Sequence, residues 1–142
     1  MSNREKGDAF TQKVHEYLKA SGAELQREYR VDVGLSSRPK KKHAFDLGNA
    51  KQLIECKYFD WTEGDNNPSG KIATLNEAML CFASAPAGFQ KQIFVKRTGE
   101  KGKRLPETLA EYYVRLHGHF IPDDVEFWEF DEAARTAKRM LN

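Results

Sequence analysis

Cysteine is scarce in this chain of 142 residues, which carries two, Cys56 and Cys81. They lie far apart and form no paired spacing, which argues against a disulfide framework and against a zinc knuckle. Long apolar runs are missing as well. Nothing approaches the roughly 18 consecutive apolar residues that span a bilayer, and Met1 to Gly7 lacks an apolar signal core. We therefore expect a soluble protein of a reducing cytoplasm, with no membrane partner. Charge of one sign is also in short supply. Lys and Arg number 23 against 21 Asp and Glu, a formal net charge of +2, so any grip on a polyanion must come from local patches. Repeats and low-complexity tracts are absent. What is present, 39% hydrophobic and 11% aromatic residues, suffices for one domain over 1–142 with its own core.

Hydrophobic spacing predicts the elements. Phe10, Val14, Tyr17 and Leu18 recur at helical period, with Asp8 to cap and Gly22 to stop, giving a helix over 9–21. Leu25, Tyr29, Val31 and Val33 alternate with polar residues and predict a strand over 24–33. Residues 34–42 read as loop. Short strands over 44–47 and 53–59 follow, joined through Gly48-Asn49, and 60–68 is a turn-rich connection. A second helix starts at Pro68 or Ser69, with Ile72, Leu75, Met79 and Phe82 inward. A strand over 92–97, a charged Gly-rich loop, a helix from Pro106 to Gly118 and a strand over 125–130 come next. Asp131 is expected to cap a terminal helix through Met140. The order αβββαβαβα is that of an α/β layer fold.

The segment Glu55-Cys56-Lys57 carries the chemistry. Side chains alternate across a strand, so Glu55 and Lys57 share one face, and Ile54, Cys56 and Tyr58 the other. If 44–47 folds back beside 53–59, Asp46 comes opposite Glu55 to within a residue of register. Two carboxylates and an amine then converge. Hard Mg²⁺, or Mn²⁺ in its place, takes carboxylate, carbonyl and water oxygens, and Asp46, Glu55 and the backbone carbonyl of Cys56 offer three. Lys57 is placed to orient a water or to neutralise charge developing on a phosphoryl group. An acid-x-Lys triplet alone is a weak signal. Its setting, two short apolar strands around a turn, carries the weight, and the competing reading is a surface Glu–Lys pair on an edge strand.

This element order, together with Asp46, Glu55 and Lys57, resembles the PD-(D/E)XK nuclease superfamily, the restriction-endonuclease-like fold, over about residues 7–97. The resemblance implies a central mixed β-sheet flanked by helices, with the site where the second and third strands diverge. It implies a Mg²⁺-dependent endonuclease, with Asp46, Glu55 and Lys57 catalytic and Asp46, Glu55 and Cys56 at the metal. Two positions depart from the pattern. Phe45 stands where the family has proline, and Thr11 where many members carry a first-helix glutamate, which leaves one-metal and two-metal forms both open. Asp8 and His15 share the face of Thr11, whereas Glu16 lies about 140° around the helix.

A basic run, Arg38, Lys40, Lys41, Lys42 and His43, leads into the Asp46 strand and is placed to receive phosphates, and Lys71 stands at a helix start where backbone N–H groups are free. Trp61 either stacks on a base or sugar or, the favoured reading, makes a core or subunit contact. His117-Gly-His119 lacks a third ligand nearby and reads as helix-end packing. A chain this short is expected to meet nucleic acid, most simply DNA, as a homodimer. The alternatives are a non-catalytic nucleic-acid-binding module, or an accessory subunit of a defence or recombination complex, with the same fold.

Overall fold

A computed structural model describes residues 1–141. The elements are α1 (Asn3–Ala20), β1 (Gln26–Val33), β2 (Lys41–Gly48), β3 (Gln52–Lys57), α2 (Ser69–Ser84), β4 (Gln90–Lys96), α3 (Leu109–His117), β5 (Val125–Asp131) and β6 (Thr136–Arg139). The described residues thus form an α/β structure of three α-helices and one open six-stranded sheet, ordered β1-β2-β3-β4-β5-β6. β1, β2 and β3 make an antiparallel meander, β3, β4 and β5 run parallel, and β6 returns antiparallel. No helix among the described residues is long and apolar enough to cross a membrane.

Alternation along the strands divides the core into two layers. On one side α1 lays Phe10, Val14 and Leu18 on Leu47, Ile54, Cys56, Phe94 and Phe130. On the other, α2 and α3 bring Leu75, Met79, Phe82, Leu109 and Tyr113 onto Phe45, Leu53, Ile93, Val95 and Phe127. β4 contributes to both layers and is buried along almost its whole length, as a parallel strand covered on both faces must be.

The helix starts are fixed by capping boxes. Ser2 accepts from the Glu5 N–H while the Glu5 carboxylate accepts from the Ser2 N–H, and Thr108 and Glu111 do the same for α3. α1 therefore begins well before Asp8, and α3 begins after Pro106.

The expected terminal helix does not form. Asp131 does use its carboxylate as a helix cap would, accepting from the N–H groups of Ala133 and Ala134 at 3.0 and 3.1 Å. The chain instead reverses through Arg135, whose φ is +55°, and β6 pairs with β5 from Asp131–Thr136 to Trp128–Arg139. An Asp that caps a helix and one that closes a turn make the same local bonds, and here sheet pairing decides between them. The basic run also differs from its reading as loop. Arg38 and Lys40 lie in the connection, whereas Lys41, Lys42 and His43 belong to β2.

Candidate functional site

The site begins with a fault in the β1–β2 ladder. Pairing runs from Gln26–Gly48 to Val33–Lys41, but Arg27–Leu47 is followed by Tyr29–Phe45 with no Glu28–Asp46 pair, and Glu28 has a φ of +52°. Strand alternation breaks at the same level. Phe45 and Leu47, two residues apart, join core layers on opposite faces of the sheet. Such a kink re-aims a side chain, as bulges beside functional sites do. It turns Asp46 toward β3.

β3 supplies the other half. The β2–β3 ladder consists of Gly48–Leu53 and Leu47–Ile54, set by a turn in which Asn49 Oδ1 accepts from the N–H groups of Lys51 and Gln52 at 2.8 Å. Continued one step, the register would place Asp46 opposite Glu55, but there the strands part. Asp46 Oδ2 accepts instead from the Cys56 N–H at 2.8 Å. In an extended strand the N–H and C=O of one residue point the same way, so the Cys56 carbonyl opens into the same gap. Leu53 packs toward α2 while Ile54 and Cys56 pack toward α1, which puts Glu55 and Lys57 on the α2 side.

Glu55 is 4% exposed, and both of its carboxylate oxygens face cationic or hydrogen-bonding groups. His43 Nε2 donates to Oε1 at 3.2 Å, and the Lys57 ammonium lies 3.8 Å from Oε2. The His43 imidazole stands edge-on to Phe45, with centroids 4.5 Å apart, and its Nδ1 is 3.7 Å from Cys81 Sγ. The bond to Glu55 raises the His43 pKa above its ordinary value, with Asp46 adding to the effect. Asp46 itself is pushed up to about 6 by burial and by the charge on Glu55. The Cys56 N–H, Lys57 and Arg27 only partly offset this. Burial, then Asp46 and Glu55, also push the Cys56 thiol up.

Asp46, Glu55, Cys56 and Lys57 are therefore brought together, and His43 joins them from β2. Sequence reasoning placed His43 among the phosphate-facing residues. Its contact with Glu55 follows only from pairing β2 with β3, and the signal available was its position two residues before Phe45 on the same strand face. The remaining basic residues are dispersed. Arg38 is bound locally to Ser36, Lys42 lies 3.1 Å from Asp32, Lys40 and Lys41 are exposed, and Lys71 is exposed in the first turn of α2. That turn has no side-chain cap.

Thr11 is buried, donates its hydroxyl to the Gly7 carbonyl at 3.0 Å, and lies beside Cys56. Asp8 sits 4.0 Å from Arg27, and Glu16 pairs with Arg135 at 3.6 Å, toward the β5–β6 turn. His117 stacks on Tyr113 and Phe120, as the packing reading expects. No group of three His, Cys, Asp or Glu side chains among the described residues forms a metal cage by itself. Two carboxylates with a carbonyl instead suit Mg²⁺, which keeps several waters and takes one or two protein carboxylates. Compared with family models, with curated proteins and with solved structures, the chain matches none.

Proposed function

We propose that this chain is a Mg²⁺-dependent nuclease of restriction-endonuclease-like architecture that hydrolyses phosphodiester bonds, with DNA as its substrate. One observation carries the reading: Asp46, Glu55 and Lys57 meet at the point where β2 and β3 part. The order of helix, three-strand meander, helix and parallel strand supports it, because that is the order the resemblance implies for the catalytic core. The raised pKa of Asp46, caused first by burial and then by the charge on Glu55, supports it too, since a cation between the two acids would offset both.

Bound Mg²⁺ supplies a polarised phosphoryl oxygen and a water of lowered pKa. Asp46, Glu55 and the Cys56 carbonyl hold it. His43 fixes the rotamer of Glu55, and Lys57 places its ammonium where negative charge grows on the phosphoryl oxygens. Arg38, Lys40, Lys41 and Lys71 take flanking phosphates by charge.

A second reading, nucleic-acid binding without cleavage, alone or as an accessory subunit, is favoured by Thr11. It occupies the position of the first-helix glutamate with a hydroxyl already bonded to Gly7. Plasmid, linear and branched DNA and RNA incubated with Mg²⁺, Mn²⁺ or EDTA separate the two. We expect metal-dependent nicking that falls by on the order of a hundredfold or more in Lys57→Ala. Salt-sensitive binding with no cleavage under either metal selects the second reading.

A further inference from the structure

We propose that the recess between the segment following β3 and the loop following β4 binds an unpaired base of single-stranded nucleic acid. Trp61 and Tyr112 supply the aromatic wall, and Lys103 and Arg104 the phosphate contact. The proposal deepens the nuclease reading, and rests on it, by naming the form of substrate that lies beside the cut.

The recess encloses about 250 Å³. Its aromatic wall is held in place before any ligand arrives. The Trp61 Nε1–H donates to the Gly99 carbonyl at 2.9 Å, and the indole meets Tyr112 edge-to-face at 6.0 Å and 73°. Gly102 has a φ of +122°, and a Cβ there would stand 2.9 Å from the Leu105 carbonyl and 3.3 Å from the Trp61 ring. Only glycine lets the loop backbone close on the indole edge. A rigid, part-exposed aromatic gives stacking area at little entropic cost, and each stacked base contributes roughly 1–3 kcal/mol in single-strand binders.

Charge selects an anion. Of the carboxylates lining the recess, Glu107 is bound in bidentate fashion by Arg115, and Asp65 lies 3.9 Å from Lys101. Lys103 and Arg104 line the same recess, are exposed, and have no ion-pair partner among the described residues. The chemistry is thus an aromatic face beside uncompensated cations, which is the pairing a nucleotide requires. Position agrees. Both segments leave the carboxyl ends of the parallel strands β3 and β4, where open α/β sheets place ligands, and Lys96 of β4 ties Asp60 to that end at 2.6 Å. Trp61 lies four residues beyond Lys57. In a duplex the base faces are covered by their neighbours, so the ligand must be unpaired or splayed.

The test uses the whole chain in EDTA, so that nothing is cut. Trp128→Phe leaves Trp61 as the single tryptophan, and its fluorescence is followed as a mixed-sequence single-stranded oligonucleotide or the matching duplex is added. We expect saturable, salt-weakened quenching by the single strand and at least fivefold weaker binding of the duplex. Anisotropy of a labelled single strand should show about a tenfold loss of affinity in Lys103→Ala/Arg104→Ala, two exposed loop positions. Equal response to both forms, no response, or unchanged affinity in the double variant overturns the proposal. Cleavage by the unsubstituted chain in Mg²⁺, with Lys57→Ala as the inactive control, separates the two readings. Cleavage without Trp61 quenching sinks this inference alone, whereas quenching without cleavage sinks the nuclease and leaves the recess standing as a binding site.

Discussion

On the proposed reading, Asp46 is where electrostatics and function pull in opposite directions. Its pKa in the folded protein, about 6, lies above the ordinary carboxylate value of 3.8. Between about pH 4 and 6 the folded protein holds a proton that the unfolded chain has released, so stability falls as pH rises through that window, and the charged group remains a cost above it. Asp46→Asn keeps an acceptor for the Cys56 N–H and removes the charge. In EDTA at pH 8 it should be more stable than the parent by up to about 3 kcal/mol, and close to the parent at about pH 3.5, both read by urea denaturation. An Asn variant no more stable at pH 8 would show that Asp46 carries no such burden. Mg²⁺ should stabilise the parent and leave the variant unmoved. Glu55 and Lys57 were legible as one face in the sequence because period-two alternation fixes it, whereas Asp46, where alternation breaks, was legible only through the pairing of its strand across the Gly48-Asn49 turn. The role of His43 was not, because its partner Glu55 lies on another strand.

At the scale of elements, β2 is shaped by what it must pass. Gly48 ends it against Tyr29, and a Cβ there would stand 2.8–2.9 Å from three atoms of that side chain. Gly48→Ala should therefore cost about 1–3 kcal/mol of unfolding free energy by overpacking, and an unchanged melting curve would contradict the close approach. The β5–β6 turn makes the opposite prediction. Arg135 holds a φ of +55°, so Arg135→Gly should be stabilising by several tenths to about 1 kcal/mol if the turn forms as described. A helix over 131–140 would instead be weakened by that glycine. Sequence periodicity located most of the elements, because amphipathic faces are written in residue spacing. It missed the capping boxes of Ser2–Glu5 and Thr108–Glu111, which were readable, and it took the Asp131 turn for a helix start, which local bonding alone does not distinguish. The kink at Glu28 left no mark in composition. A left-handed glutamate is a product of strand pairing, not of local preference.

The whole molecule carries a net charge of only +2, so binding to nucleic acid should depend on a few defined cations and not on a broad field. With Lys42 beside Asp32, the exposed basic groups proposed to take duplex phosphates are Arg38, Lys40, Lys41 and Lys71. On the proposed reading, the logarithm of duplex affinity should fall against the logarithm of salt with a slope near −4, and Lys40→Ala/Lys41→Ala should reduce its magnitude by about 2. A slope that does not change would remove these lysines from the interface. The layered α/β architecture could be read in advance because alternating strands and helices leave few ways to cover a sheet. The recess at Trp61 could not, because its walls come from two loops that only the parallel pairing of β3 and β4 brings side by side.

Leu47–Ile54 and Gly48–Leu53 weld the β1–β2 hairpin to the rest of the sheet, so Asp46 rides on one arm, and Glu55 with Lys57 on the other, like the jaws of a calliper. The opening between the jaws is set at Gly48 and Glu28, neither of which supplies a proposed ligand. On the proposed reading, substitution at either position should change which ionic radius the jaws close upon while the proposed ligands and Lys57 stay intact.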